Sequence, residues 1–294
     1  MLQNTVDDYI ASLSTKEDQR GSNRNTIMAY RNDLNQLCCY LALEEVREWS
    51  QIEQEHIIGY LLEMREEHAY RPTTIARKLA AFKSFFRYLR SIGIIVCDSI
   101  DKLESPRISR DLPQILSAEQ ISSLFCQVDD GTAAGKRDLA MLHMLYATGM
   151  RTSELVSLNL GDFDLDRALV LCPGHGGRAN LVRELPLPIV AVEATQRYLE
   201  VARPLLSRHN EMQALFLNHH GDRLTRQGFW LIIKGYARQA NILDITPHML
   251  RHSFAIVMLK GGMELRSVQE LLGHAHISTT QVYSQLAHAL ASSE

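Results

Sequence analysis

The stretch that decides how this chain reads is Thr246–Ala255 (T-P-H-M-L-R-H-S-F-A), followed by Leu271–Ala275 (L-L-G-H-A) and Ser278–Tyr283 (S-T-T-Q-V-Y). Thr246-Pro247 starts a helix by cap preference and by proline placement. His248 and Arg251, at i and i+3, share a face of its first turn. Phe254, Val257 and Met258 anchor that helix in a core, and Gly261-Gly262 ends it. Leu265, Val268, Leu271 and Leu272 mark another buried helix, closed by Gly273, with His274 directly in the loop. Ser278 and Gln281 have the spacing of a capping box, which places Tyr283 near the start of a third helix. Three punctuated helices thus deliver a nucleophile, an anion clamp and proton carriers, a combination suited to attack on a phosphodiester.

Upstream, Y-A-T-G-M-R-T-S-E-L (Tyr146–Leu155) supplies a second arginine. Gly149 ends one helix, Thr152 caps the next, and Glu154 suits its positive end. Arg151 sits at the corner, with two readings open: an anion clamp, or a partner for Glu154 and nearby carbonyls.

The first hundred residues read as helices with short connections, over Thr26–Leu43, Ile52–Met64 and a helix opened by Pro72. In that last helix Leu79, Phe82, Phe86 and Leu89 form an apolar stripe and Gly93 is the stop. Arg77, Lys78, Lys83, Arg87 and Arg90 give it a basic edge. That edge suits a DNA backbone or groove, and a solvated face is the alternative. The net charge of −3 hides a strong segregation: six Lys/Arg face thirteen Asp/Glu over residues 1–70, nine face three over 71–110, and sixteen face eighteen over 111–294. Phosphate contact is local, so the basic island outweighs the total.

Pro106–Pro113 (P-R-I-S-R-D-L-P) reads as an extended linker, and Ser117 with Gln120 as a capping box. Further helices are predicted at 117–126, 137–147, 152–158, 188–205, 225–240, 247–260, 264–272 and 278–288. Two apolar runs around P-G-H-G-G, within Ala168–Leu187, predict a hairpin. The helix from Thr225 carries Arg226, Trp230, Lys234 and Arg238 at four-residue steps, a second DNA-facing edge or an ordinary amphipathic surface.

No stretch approaches eighteen apolar residues, which argues against a membrane span, and the acidic N-terminus is unlike a signal peptide. The five cysteines (Cys38, Cys39, Cys97, Cys126, Cys172) include no C-x-x-C pair and read as reduced thiols of a cytosolic protein. Asp162, Asp164 and Asp166 imitate a calcium loop, but Arg167 and Pro173 stand where glycine and glutamate are required. The histidines lack companions at zinc spacing, so no metal is expected. His252 reads as a packing group or as a support behind the site's own residues, and His276 as a surface group. Ser253 lacks the elbow of a hydrolase.

The stretches A-T-G-M-R-T-S-E-L, P-H-M-L-R-H-S-F-A and L-L-G-H-A-H-I-S-T-T-Q-V-Y resemble the signature boxes of the tyrosine recombinase (phage integrase) family, most of all its Xer-type members. The likeness extends to N-T-I-M-A-Y-R-N-D-L, to the linker and to L-T-R-Q-G-F-W-L-I-I-K. It implies a mainly α fold with an all-α DNA-binding domain over residues 1–107, a linker over 108–114 and an α+β catalytic domain with a small antiparallel sheet over 115–294. By that resemblance Tyr283 attacks the scissile phosphate to leave a 3′-phosphotyrosyl link, and His248 accepts its proton. Arg151 and Arg251 hold the non-bridging oxygens, and His274 adds a hydrogen bond. The bond energy is kept in the covalent link, so no nucleotide or metal cofactor is implied. The partners implied are double-stranded DNA and a tetramer, of one recombinase or of two, in a bacterial cytoplasm at the nucleoid.

One feature departs from the family. Its hairpin lysine, which protonates the leaving 5′-oxygen, has no counterpart, because no lysine lies between Lys136 and Lys234. His175 stands in its place, with Arg178 and Arg183 as further candidates. Histidine is the better acid near neutrality. Two other functions stay open: an architectural DNA-binding protein disabled by this change, and a relaxing topoisomerase that uses the same chemistry as a monomer.

Overall fold

The computed structural model describes residues 2–20, 24–66, 70–95, 113–174, 182–208 and 212–291. The chain divides into two compact units, Met1–Arg110 and Asp111–Glu294. Among the described residues no helix is long and apolar enough to cross a membrane. Cys38, Cys39, Cys126 and Cys172 are free thiols, and Cys97 lies outside the described residues.

The first unit consists of α1 (Leu2–Arg20), α2 (Arg24–Leu43), α3 (Gln54–Glu66) and α4 (Pro72–Ser91). Val6, Leu34, Leu37, Leu41, Ile57, Met64, Phe82 and Phe85 close its core. Pro72 occupies the first turn of α4, and Gly93 adopts a φ of 75° just past its end, as the sequence predicts.

Lys78 departs from the predicted basic edge. It lies one turn ahead of Phe82 and two ahead of Phe85, on the buried face of α4, and its side chain is only 2% exposed. Its ammonium pairs with Asp33 at 3.3 Å, bonds Gln36, and sits 5.4 Å from the centre of the Tyr70 ring. Burial lowers its pKa, and the Asp33 charge opposes that shift. Arg77, half exposed, also pairs with Asp33. Lys83 is half-buried, whereas Arg87 and Arg90 are exposed.

The second unit contains α5 (Ala118–Cys126), α6 (Ala133–Thr148), α7 (Thr152–Ser157), β1 (Phe163–Asp164), β2 (Leu169–Cys172), β3 (Arg183–Pro186), α8 (Ile189–Arg197), α9 (Arg203–Leu206), α10 (Arg226–Gln239), α11 (Pro247–Lys260), α12 (Leu265–Leu272) and α13 (Ile277–Ala291). Ser117 and Gln120 form the predicted capping box. The hairpin forms in the register Leu169↔Pro186 to Cys172↔Arg183, and β1 joins β2 as a third antiparallel strand. The single helix predicted over 188–205 is interrupted by a π-helical turn at Tyr198–Ala202. Pro204, in the first turn of α9, has no N–H for the helical ladder and its ring crowds the preceding turn, so the bonding shifts there.

Helix α6 is the spine of this unit. Leu142, Met144 and Leu145 are fully buried with Leu155, Val170, Leu185, Phe216 and Leu250. A second cluster, Phe254, Ala255, Val268, Leu272, Tyr283, Leu286 and Ala287, locks α11, α12 and α13 together. Each large apolar side chain so buried stabilises the fold by roughly 1.5–3 kcal/mol. Ser253 Oγ accepts from the Leu116 N–H at 2.8 Å, tying α11 to the start of the unit.

Candidate active site

The site is assembled where three helix ends meet. Helices α6 and α12 each stop at a glycine in the left-handed region, Gly149 (φ 60°) and Gly273 (φ 64°). Their last carbonyls have no helical partner and form the negative ends of two helix dipoles. Arg251, buried in the first turns of α11, fills that need: its guanidinium donates to Gly149 O at 2.6 Å and to Leu272 O at 2.6 Å. A side chain at position 149 would run into the Phe254 ring, so glycine serves here for both conformation and close approach.

Arg151 lies at the N-cap of α7, one residue earlier than a Thr152 cap would place it. It bonds Glu154 through its guanidinium at 2.9 Å and through its backbone N–H at 2.7 Å, and reaches Gly273 O at 3.3 Å. The pairing with Glu154 is therefore realised. Glu154 is fully buried and also takes Arg183 Nη2 at 2.9 Å, so one carboxylate holds both guanidinium groups. Burial alone would raise the Glu154 pKa, but the Arg151 N–H and the Arg183 and Arg151 charges outweigh it and hold the group below its ordinary value. Burial and the neighbouring Arg151 bring Arg251 down to about 10, still a cation at neutral pH.

His274 is buried, with Nδ1 2.9 Å from Thr280 Oγ1, which leaves Nε2 as its remaining polar edge. Helix α13 starts at Ile277, so Ser278 lies inside the first turn rather than capping it. Tyr283 is 4% exposed. Its hydroxyl lies 2.7 Å from His252 Nδ1, and its ring stacks near His274 with centroids 6.1 Å apart. His248 is exposed at the site's edge, its ring 6.2 Å from that of His252. Burial raises Tyr283 despite the nearby Arg251 and Arg151. Burial, aided by adjacent positive charge, lowers His248 and brings His252 and His274 each to about 4.

Arg151, His248, Arg251, His274 and Tyr283 thus surround one small volume in the second unit. His175 and Arg178 lie outside the described residues. Arg226 is exposed on α10, and Lys234 lies over the Trp230 ring at 4.7 Å. The sequence offers Glu154 only as a partner of Arg151 and His252 only as a packing or supporting group; in the structure Glu154 holds Arg183 as well as Arg151, and His252 meets the tyrosine hydroxyl. Asp162 and Asp164 accept from backbone N–H groups of Asn159 and Arg167 in turns. Among the described residues no group of three His, Cys, Asp or Glu side chains is placed to hold a metal ion.

Comparison with known proteins identifies the family of the chain. The phage integrase family model matches residues 114–289, and the phage integrase N-terminal SAM-like domain model matches residues 5–93. Tyrosine recombinase XerC of Roseiflexus sp. (strain RS-1) is 46% identical over 286 residues, covering 96% of this chain and 90% of that protein. Tyrosine recombinase XerD of Listeria monocytogenes serovar 1/2a is 40% identical over 288 residues, covering 97% and 95%. The fold matches that of XerH recombinase in a post-cleavage complex with a palindromic difH substrate, with a TM-score of 0.72 at 20% identity over 97% of this chain and 92% of that one. It also matches a lambda integrase dimer bound to a COC′ core site, with a TM-score of 0.75 at 16% identity, covering 96% and 94%. The chain belongs to the phage integrase family and is a tyrosine recombinase of the Xer type, an enzyme of site-specific DNA recombination.

Proposed function

We propose that Tyr283 is the nucleophile, that Arg151 and Arg251 clamp the scissile phosphate, and that His248 and His274 complete the site. The observation that carries this reading is the fixing of Arg251 by two helix-end carbonyls beside the buried tyrosine. A guanidinium has five N–H donors, so donors remain for phosphate oxygens after two are spent on carbonyls. Held rigidly on a buried side chain, those donors stabilise the extra charge of the pentacoordinate transition state with little reorganisation. A tyrosine hydroxyl titrates near about 10 in water and burial raises it further, so a proton acceptor and the two guanidinium groups are needed for attack at neutral pH. Attack breaks the P–O5′ bond and leaves a 3′-phosphotyrosyl link, which a 5′-hydroxyl later reverses.

His175 is proposed as the acid that protonates the leaving 5′-oxygen, with Arg178 as the alternative. The unit spanning residues 1–107 is proposed as a DNA-binding domain whose contacts include Arg77, Lys83, Arg87 and Arg90. The unit from residue 115 carries catalysis, with Arg226 and Lys234 on a second DNA edge. Four protomers, of this chain or of this chain and a second recombinase, assemble on paired sites in the cytoplasm at the nucleoid, for resolution of dimers or cointegrates or for integration. The test is covalent capture: the chain is mixed with a random-sequence library of nicked duplexes, and the sequences retained in a denaturation-resistant adduct are read. Recovery of one shared site that drives strand exchange between two duplexes supports the reading. Relaxation of supercoils without exchange contradicts it.

A further inference from the structure

The contact that the proposed residue roles leave unused is the one between His252 and Tyr283. Tyr283 Oη and His252 Nδ1 are 2.7 Å apart, with Tyr283 buried and His252 half-buried. Their ring centroids are 5.4 Å apart, and the His248 ring lies against His252 as well. His252 directly follows Arg251 on α11, and Arg251 is pinned at 2.6 Å to each of two carbonyls. The position of His252 is thus tied to that of the anion clamp, and α13 is fastened to α11 through Phe254, Ala255, Leu286 and Ala287.

We propose that His252 positions the nucleophile: its unprotonated Nδ1 accepts the Tyr283 hydroxyl proton in a hydrogen bond and sets the direction of the Oη lone pairs. This rests on Tyr283 being the nucleophile. Packing fixes a tyrosine ring, but its O–H keeps two orientations in the ring plane, and a hydrogen-bond partner selects between them. With the proton directed at the imidazole, the lone pairs of the phenol oxygen point away from His252 and are free to meet phosphorus. The groups near His252 include His248 and Arg251 on α11, Tyr283 on α13 and His274 just past α12. Loss of water and the charges of His248 and Arg251 hold the imidazole at about 4, so it is a neutral acceptor at physiological pH.

The test uses the full chain, a captured nicked duplex as probe, and two substitutions that separate shape from hydrogen bonding. His252→Phe keeps an aromatic ring and removes the acceptor. His252→Asn removes the ring and keeps an acceptor near the Nδ1 position. At saturating duplex, the single-turnover rate of adduct formation in His252→Phe should fall by about 10- to 100-fold. Duplex affinity should be unchanged, and His252→Asn should recover most of the rate. A His252→Phe rate equal to wild type, or an Asn variant slower than the Phe variant, overturns the proposal. Should a variant fail to fold, ¹⁵N spectra of the wild-type histidines decide. An unprotonated, hydrogen-bonded Nδ1 at His252 supports the assignment, and a protonated Nδ1 overturns it. An adduct that persists in Tyr283→Phe would sink the nucleophile assignment itself. Adduct loss in Tyr283→Phe with an unaltered rate in His252→Phe removes only the role of His252.

Discussion

Arg251 donates to the carbonyl of Gly149 at 2.6 Å across 102 positions of sequence, joining the end of one helix to the first turns of another. That bond makes the anion clamp part of the fold, since the arginine that would hold phosphate also completes the α6 C-terminus. Gly149→Ala attacks both sides of the relationship. The left-handed backbone and the clash with Phe254 should together cost about 2–4 kcal/mol. The denaturation midpoint should drop accordingly. Arg251→Lys strands a buried carbonyl, so it should lower stability as well as abolish adduct formation. An Arg251→Lys chain as stable as wild type would show that the carbonyls are satisfied without the guanidinium.

Stability should also depend on pH through His252 and His274. Both titrate near about 4 in the fold, against about 6.5 in an unfolded chain. Their folded values are depressed, so between these limits the unfolded chain binds more protons and stability rises with pH. The contribution is complete above about 6.5 and is lost as pH falls toward about 4. Below the ordinary carboxylate value of 4.5, Glu154 adds a loss of the same sign. Urea midpoints measured from neutral to mildly acid pH should fall steadily, and His274→Asn should remove part of that slope. Midpoints independent of pH across this window would contradict the burial described for the two rings.

Lys78 and Arg87 share one helix but should behave oppositely. Lys78→Ala strips a buried partner from Asp33 and should destabilise the N-terminal unit by about 3 kcal/mol. It should leave the salt dependence of duplex binding as it is. Arg87→Ala should change stability little and lower the slope of log affinity against log salt by about 1. Melting curves and salt titrations on the two variants read these effects separately. A reduced salt slope in Lys78→Ala would mean that the lysine leaves its pocket to meet phosphate.

The extent to which the chain was legible follows from the range of the forces involved. Helix ends were plain in sequence because caps act within four residues: Ser117 with Gln120, Pro72, Gly149 and Gly273 all sit where local chemistry requires. The hairpin was plain because two apolar runs flank a turn. Lys78 was misread because a basic residue on an amphipathic helix points outward by default, and the carboxylate that holds it inward is 45 positions away at Asp33. The meeting of His252 with Tyr283 spans 31 positions and two helix ends, beyond the reach of any local pattern. Glu154 was legible as a first-turn acid, but its grip on Arg183 depends on strand register.

The hairpin without lysine yields a prediction from its chemistry. If His175 protonates the leaving 5′-oxygen, His175→Ala should slow cleavage of an ordinary duplex far more than of one with a 5′-bridging sulfur, which departs without a proton. General-acid loss of this kind is worth about 10²–10⁴-fold. Equal slowing of both substrates would move the acid elsewhere, with Arg178 next to be tried.

The central claim is that Tyr283 bonds covalently to DNA. The most direct measurement is mass spectrometry of the peptide recovered after wild-type chain is trapped on a captured nicked duplex and digested. A 3′-phosphonucleotide mass on the peptide carrying Tyr283, absent in Tyr283→Phe, is the expected result. A nucleotide on any other residue, or an adduct retained in Tyr283→Phe, would contradict it.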